Sequence, residues 1–370
     1  MCPDVEVRPE SGLWKDSLDT KAAQEIANQI GRAFKKFDRD GFLKHLLTDE
    51  YHAAELKAKI FLIADSLYQF LPKKYSQTIN ILIKTAPKVG TFENWALLTY
   101  VEKYGLENFD ESVKAMEALT PHSTAEFAIR PFMIRYTKQM KPILLRWATD
   151  TNEHIRRLAA EATRPRGVWV AHIDEFKKDP TFVFELLEHL NADESLYVRK
   201  AVANNLNDIS KDHPKKVIAT GKRWLKDKNK NSNWIVKHAC RTLLKKGHPD
   251  VFGLFGFTKN PKITIGKFAF DKKLIKVGTS AVLSADIISQ DKITQKLSID
   301  FAIHYMKKNG KLAPKVFKLS EKSIKSHEQL SLTITHSFKE MTTRKHYPGK
   351  HKAELLVNGK SYVMFDFNLK

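Results

Sequence analysis

The sequence predicts a mainly α-helical protein that ends in a smaller β domain. Two observations support this fold class: an amphipathic helical period that repeats over most of the chain, and a change to alternating apolar and polar residues near residue 260. We therefore expect two domains. Residues 1–258 are predicted to form a HEAT-like helical repeat superhelix, and residues 259–370 an immunoglobulin-like β-sandwich.

The helical part is predicted from apolar residues at a spacing of 3.6. Pro and Gly residues separate the periodic stretches and mark helix ends, and Pro131 and Pro142 are expected at helix starts or kinks. The clearest predicted helices cover residues 18–37, 53–71, 109–120, 124–140 and 214–227.

The helical pattern also repeats. Ile155, Val198 and Val236 take equivalent places in three similar segments, at intervals of 43 and 38 residues. Intervals near 40 with paired helices are typical of HEAT-like repeats, in which each unit buries its apolar face only against its neighbours. The alternative is a coincidence between unrelated amphipathic helices.

The C-terminal part reads as short strands rich in Val, Ile, Phe and Thr. Turn signals such as Asn309-Gly310 and Asn358-Gly359 separate them. Seven short strands in about 110 residues fit an immunoglobulin-like sandwich, here without a cysteine pair. The seven segments are residues 262–270, 273–289, 296–307, 313–324, 329–338, 350–359 and 361–369.

The charge predicts a polyanionic partner. The net charge is +21, and residues 257–370 carry 22 Lys and Arg against 9 Asp and Glu. Nucleic acid is the first expectation, ahead of an anionic membrane or an acidic protein. Only two cysteines occur, and no apolar run is long enough to span a bilayer. We therefore expect a cytoplasmic protein in a reducing compartment, without a membrane association.

Common catalytic motifs are absent from the sequence. It has no glycine-rich phosphate loop, no HExxH, no paired CxxC, and its 14 histidines show no ligand spacing. We expect neither a metal nor a cofactor. What stands out is a set of carboxylates and one indole among basic helices: Glu126, Glu161, Asp208 and Trp169.

Each of these residues also has an ordinary explanation. Glu161 and Arg157 are one helical turn apart and would form an ordinary surface ion pair on this interpretation, as would Asp208 and Lys211. Trp169 would ordinarily be a packing residue, as most tryptophans are. The spacing leaves both explanations open.

The segments EATRPRGVW, SLYVRKAVANNLNDISKDHP and the long run from MKKNGKLAPKVFKLSEKSI to KHKAELLVNGK resemble the AlkC-type bacterial DNA alkylation repair glycosylases. The resemblance covers most of the chain from about residue 20. It implies a HEAT-like superhelix with an immunoglobulin-like domain that helps to grip DNA. It also implies excision of 3-methyladenine and 3-methylcytosine, and weakly of 1-methyladenine, without extrusion of the base into a deep pocket.

By the same resemblance, Glu126, Glu161 and Asp208 would be the active-site carboxylates and Trp169 the aromatic residue beside the lesion. A cationic methylated base needs no protonation to leave, so the carboxylates are expected to stabilise the oxocarbenium-like sugar and to orient the water. We assign Asp208 and Glu161 to C1′ and the water, and Glu126 to a supporting role.

Basic residues are expected to hold the DNA phosphates. In the sandwich, the segment TTRKHYPGKHK is expected to place four of them in one loop that could enter a groove. The predicted DNA contacts are Arg157, Arg164, Arg166, Lys200 and Lys237 in the helical domain, and Arg344, Lys345, His346 and Lys350 in the sandwich.

The function predicted is therefore a monofunctional alkylbase DNA glycosylase of base excision repair, acting as a monomer on duplex DNA that contains alkylated bases. In a bacterial cytoplasm it would meet its substrate in the nucleoid. The main alternative is a non-catalytic HEAT-repeat scaffold that binds nucleic acid, and a second is an adaptor for an acidic protein.

Overall fold

The computed structural model describes residues 12–340 and 345–370. The chain divides into two compact units: one runs up to His213 and includes Trp224–Ala239, and the other holds Pro214–Arg223 and Cys240–Lys370. Helices make up the first unit and a sandwich of two β-sheets dominates the second, which confirms the predicted fold class. The predicted domain boundary at residue 258 falls inside the second unit, and as a functional boundary it stays a prediction.

The helices follow the predicted segments closely. Within the described residues the α-helices are α1 (Thr20–Ala33), α2 (Arg39–Leu46), α3 (Asp49–Ala53), α4 (Leu56–Phe70), α5 (Tyr75–Thr85), α6 (Thr91–Tyr104), α7 (Phe109–Leu119), α8 (Ile129–Arg135), α9 (Thr137–Ala148), α10 (Glu153–Ala162), α11 (Asp174–Lys178), α12 (Thr181–Glu188), α13 (Leu196–Ile209), α14 (Pro214–Trp224), α15 (Lys230–Ala239), α16 (Arg241–Lys245) and α17 (Pro249–Leu254).

One predicted helix is wrong. Residues 124–140 do not form a single helix, because the backbone leaves the helical conformation at Tyr136 (φ −120°, ψ 34°) and separates α8 from α9. Pro131 lies in the first turn of α8, where a missing N–H costs no helical hydrogen bond. Pro142 lies inside α9, which continues past it.

The predicted repeats pack in series. Helix α10 packs against α13, and α13 against α15, and the equivalent residues Ile155, Val198 and Val236 are all buried. Side-chain caps begin the first two of these helices: Asn152 accepts a hydrogen bond from the His154 amide, and Ser195 caps α13. The packing of α10 against α13 fixes the position of Glu161 relative to Asp208, because each helix carries one of these carboxylates.

A buried amide joins α10 to α13. The Asn205 side chain is fully buried and donates hydrogen bonds to the Ala160 carbonyl (2.8 Å) and to Thr163 Oγ1 (2.9 Å). Since buried polar groups are costly when unpaired, these bonds fix how the two helices pack together.

The second unit contains the strands β1 (Ile263–Phe270), β2 (Leu274–Ile275), β3 (Ser280–Ser289), β4 (Gln295–Met306), β5 (Leu312–Ile324), β6 (Gln329–Ser337), β7 (Gly349–Val357) and β8 (Lys360–Leu369). They form a three-stranded sheet in the order β1-β3-β6 and a five-stranded sheet in the order β2-β8-β7-β4-β5. Apolar side chains of both sheets, among them Leu283, Phe301 and Phe367, form the core between them.

One predicted strand of the sandwich is wrong and one predicted turn is confirmed. The predicted strand 273–289 is divided into β2 and β3, because the chain turns at Gly278, whose φ is +89°. The predicted turn between the last two strands is confirmed: Asn358 and Gly359 both have positive φ (47° and 76°), as a tight hairpin with matching twist requires.

Replacing Asn205 with Ala is expected to lower the free energy of unfolding by about 1–3 kcal/mol, because the Ala160 carbonyl would stay buried without this donor. Urea unfolding followed by circular dichroism measures the change. Asn233→Ala is the matched control, since Asn233 is exposed on α15. Equal midpoints for both variants would contradict the role given to Asn205.

Candidate active site

Three carboxylates and two arginines alternate in one row on the helical unit. Arg157 pairs with the Glu126 carboxylate and lies 3.5 Å from Glu161 Oε1. Arg164 then joins Glu161 (Nη1 to Oε2, 3.0 Å) to Asp208 (Nη2 to Oδ2, 2.8 Å). We call these five residues the charge row.

Three separate parts of the chain build the charge row. Helix α10 carries Arg157 and Glu161 one turn apart, and Arg164 follows just after its end. Asp208 comes from the last turn of α13, whose packing against α10 brings it to Arg164. Glu126 lies in the segment before α8, beside Thr124, whose hydroxyl accepts a hydrogen bond from Arg157 (2.5 Å).

The carboxylates of the charge row are shielded from water to different degrees. The exposed fraction of the side chain is 5% for Asp208, 9% for Glu161 and 24% for Glu126. Burying an ionised carboxylate is costly unless it is paired. The arginines supply that pairing, and Lys211 adds a contact to Asp208 Oδ1 at 3.0 Å.

The two arginines are held firmly in their charged form. Burial alone would lower the pKa of Arg157, but the carboxylates of Glu161 and Glu126 outweigh it and raise that pKa. Burial would likewise lower the pKa of Arg164, but the charges of Glu161 and Asp208 outweigh this effect and raise that pKa. Both guanidinium groups of the charge row are therefore protonated at any physiological pH.

A small cleft opens beside the charge row. It has a volume of about 260 Å³ and is lined by Arg157, Glu161, Leu196, Tyr197, Lys200, Ala201 and Asn204. The Arg157 guanidinium stacks over the Tyr197 ring at 5.0 Å. The sequence analysis missed Leu196 and Tyr197 as site residues, although both begin the helix that carries Asp208.

Trp169 has an unusual conformation for a tryptophan. Its side chain is among the exposed large apolar groups, with 75% of the residue accessible, and its φ is +61°. A non-glycine residue in the left-handed region carries strain that the surroundings must maintain. An exposed indole on a strained segment is therefore not a packing residue.

Arg130 was missed by the sequence analysis. It is only 3% exposed, and its guanidinium donates to the carbonyl oxygens of Ala162, Arg164 and Ala171 at 2.5–3.1 Å. Burial, and secondarily the charge of Arg164, lowers its pKa to about 10. The available signal was a single Arg within the apolar segment FAIRPFM.

The predicted DNA contacts of the helical unit fall into two groups. Arg157 and Arg164 are buried in the charge row, with side chains 8% and 13% exposed. Arg166 forms a bidentate pair with Asp212, and Lys200 and Lys237 are exposed on α13 and α15.

The predicted basic loop of the sandwich is partly wrong. His346 is 4% exposed, and its Nε2 lies 3.2 Å from the Lys339 carbonyl oxygen. Lys350 belongs to strand β7 and pairs with Asp366 at 3.0 Å. Of the four, only Lys345 is seen as an exposed loop residue, and Arg344 lies outside the described residues.

Lys345 borders a second cleft, of about 370 Å³, whose lining also includes Lys307, Lys308 and Lys315. Lysines concentrated around one cleft raise the local positive potential. This part of the sandwich is therefore a candidate surface for phosphates.

Other kinds of site are not seen in the described part of the chain. Within residues 12–340 and 345–370, no group of three or more His, Cys, Asp or Glu side chains could hold a metal ion. No helix in the same residues is long and apolar enough to cross a membrane. Cys240 is buried, and burial raises the pKa of its thiol to about 12, so it is not an activated nucleophile.

The fold and the site define a class of protein in which a repeat array of helices carries a row of paired carboxylates. An immunoglobulin-like sandwich follows this array in the chain. A family model described as "DNA alkylation repair enzyme" matches residues 18–243, and the chain belongs to that family. A second model, "Uncharacterised protein YhaZ, C-terminal Ig-like domain", matches residues 264–370.

Relatives match over nearly the whole chain. "Uncharacterized protein YhaZ" of Bacillus subtilis (strain 168) is 39% identical over 96% of this chain and 99% of its own length. A solved structure, Pseudomonas fluorescens alkylpurine DNA glycosylase AlkC bound to DNA containing an abasic site analog, is 36% identical and superposes with a TM-score of 0.92. That match covers 97% of this chain and 99% of the other.

Replacing Arg164 with Met is expected to destabilise the protein by about 3–5 kcal/mol, because two buried carboxylates would lose their shared partner. Arg166→Met is the matched control and should cost only about 0–1 kcal/mol, since its pair with Asp212 is more exposed. Urea midpoints at pH 8, where carboxyl groups stay ionised, give both values. Similar losses for the two variants would contradict the account of the charge row.

Proposed function

We propose that the protein is a DNA glycosylase that hydrolyses the N-glycosidic bond of cationic alkylated bases in duplex DNA. The substrates proposed are 3-methyladenine and 3-methylcytosine, with weaker action on 1-methyladenine. The charge row carries this proposal, because ionised carboxylates shielded from water suit a reaction whose transition state is a cation. Membership of the DNA alkylation repair enzyme family and the similarity to AlkC support it.

The proposed reaction needs no acid. The alkylated base already carries a positive charge, so it takes the electron pair of the breaking bond and leaves as a neutral molecule. Positive charge then moves to the deoxyribose, where Asp208 and Glu161 stabilise it electrostatically. A water molecule forms the new bond to C1′ and gives up its proton, for which one of these carboxylates is the general base.

Burial explains the division of roles that we propose. Asp208 and Glu161 are the two most shielded carboxylates of the charge row, at 5% and 9% side-chain exposure, and their charges act through the least water. Glu126 is more exposed, at 24%, and pairs with Arg157. It supports the reaction by fixing that arginine, which in turn contacts Glu161.

DNA binding is proposed to rest on residues outside the charge row. Lys200 and Lys237 on the helical unit, with Lys345 and Lys350 on the sandwich, are the proposed phosphate contacts. Trp169, exposed on its loop, is proposed to stack on the lesion or its sugar. The cleft beside Glu161 offers one aromatic ring, Tyr197, rather than two facing rings, which favours catalysis without deep extrusion of the base.

Replacing Asp208 with Asn or Glu161 with Gln is expected to lower the single-turnover rate of base release by about 100-fold or more, because each change removes a charge that stabilises the transition state. The assay uses duplex oligonucleotides with one 3-methylcytosine, followed by alkali to cleave abasic sites. Undamaged duplex should still bind.

The matched control is Glu107→Gln, an exposed carboxylate that pairs with Arg135. Full activity in the Asp208 and Glu161 variants would contradict the proposed chemistry. No release by the wild type, with tight duplex binding intact, would leave only the non-catalytic scaffold.

Lesion charge should decide the substrate range. A neutral lesion such as hypoxanthine needs protonation to leave, and in the proposed mechanism the carboxylates of the charge row, each paired with an arginine, do not act as acids. We expect release of 3-methyladenine from methylated DNA but no release of hypoxanthine from an otherwise identical duplex, as measured by chromatography of the freed bases. Comparable rates for both bases would show that the enzyme supplies a proton and would contradict the mechanism.

A further inference from the structure

We infer that Arg130 is a positioning residue that holds in place the loop carrying Trp169. This inference rests on the proposed function, because the indole is taken to act on the lesion. It concerns a buried side chain that is not among the proposed DNA contacts. Its site of action is the segment between α10 and α11, residues 163–173, which we call the Trp169 loop.

Arg130 ties the two ends of the Trp169 loop together. It donates to the Ala162 and Arg164 carbonyls at 3.1 Å each, where α10 has just ended. On the other side of the loop it donates twice to the Ala171 carbonyl, from Nε at 3.0 Å and from Nη2 at 2.5 Å. The loop is thus closed across a single guanidinium.

Between these points the loop is also held at Arg166, which pairs with Asp212. One backbone hydrogen bond crosses it, from the Ile173 amide to the Pro165 carbonyl at 3.2 Å. Val168 and Trp169 at its tip are 65% and 75% exposed. A positive φ at Trp169 persists only when the surroundings impose it, and Arg130 is the side chain that spans the loop.

The charge row explains why a cation is tolerated at this buried place. Burial lowers the pKa of Arg130, whereas the nearby charges of Glu161, Glu126 and Asp208 counteract that effect. Arg130 therefore links two features: its charge is stabilised by the carboxylates, and its N–H groups shape the loop that carries the indole. Lysine cannot replace it, because one ammonium lacks the planar fork that reaches three carbonyls.

The test measures the single-turnover release of 3-methylcytosine by Arg130→Lys, with and without a second change, Trp169→Ala. Arg130→Lys should lower the rate about tenfold, the amount that one stacked aromatic contributes, with unchanged affinity for undamaged duplex. In the Trp169→Ala background it should have no further effect. An equal loss in both backgrounds, or no loss, would overturn the inference.

Arg135→Lys is the matched control, because Arg135 lies on the same helix but is exposed and pairs with Glu107. It should leave the rate unchanged. If Arg130→Lys does not fold, Gly167→Ala tests the same loop, since an added Cβ would overlap with Val170 Cγ2. It too should lose activity only when Trp169 is present, and a loss in both backgrounds would overturn the inference.

A spectroscopic readout separates this inference from the proposed function. The difference in fluorescence anisotropy between each protein and its Trp169→Phe counterpart reports the mobility of this indole. Arg130→Lys should lower it and Arg135→Lys should not. If the wild type releases no base, the proposed function fails, yet unchanged anisotropy in Arg130→Lys would still overturn the positioning role on its own.

Discussion

Two arginines pair with three carboxylates where little water reaches, and the packing of α10 against α13 holds this charge row together. The pairing needs α10 and α13 at a fixed separation, which the buried Asn205 amide helps to set. Removing one partner would leave a charge without compensation, so structure and proposed chemistry depend on the same contacts. The residues that stabilise the fold here are also those that would stabilise a cationic sugar.

The alternating charges also resolve an apparent conflict in the sequence. DNA repels carboxylates, yet the proposed reaction needs them beside a deoxyribose. In the charge row, Arg157 and Arg164 together with Lys211 balance the three acids, so the local charge is nearly neutral within a chain of net charge +21. The exposed lysines can then attract the phosphates without strong repulsion from the paired acids.

Hydrophobic periodicity predicted most of the fold, because burial of one face imposes a period on each helix and strand. It also predicted the pairs within one helical turn: Glu161 does contact Arg157, and Asp208 does contact Lys211. The first pair is part of the charge row and the second adjoins it, so neither is an alternative to it.

Contacts between helices were harder to predict. Arg164 and Asp208 are 44 residues apart, close to the repeat interval of 43, and that agreement was the available signal. Arg130 was missed because a side chain that hydrogen-bonds to the backbone leaves only a weak signal, here a single Arg within an apolar segment. His346 does lie in the predicted loop but is buried, because a local basic motif does not show which of its members will pack against neighbouring side chains.

The measurement that tests the charge row most directly compares the affinity of the protein for two duplexes, one with a neutral abasic analogue and one with a cationic pyrrolidine in place of the sugar. Because analogues of a transition state bind more tightly than ground-state ligands, the cationic duplex should bind at least about 100-fold more tightly, and Asp208→Asn should abolish most of that difference. Equal affinity for the two duplexes in the wild type would contradict the account.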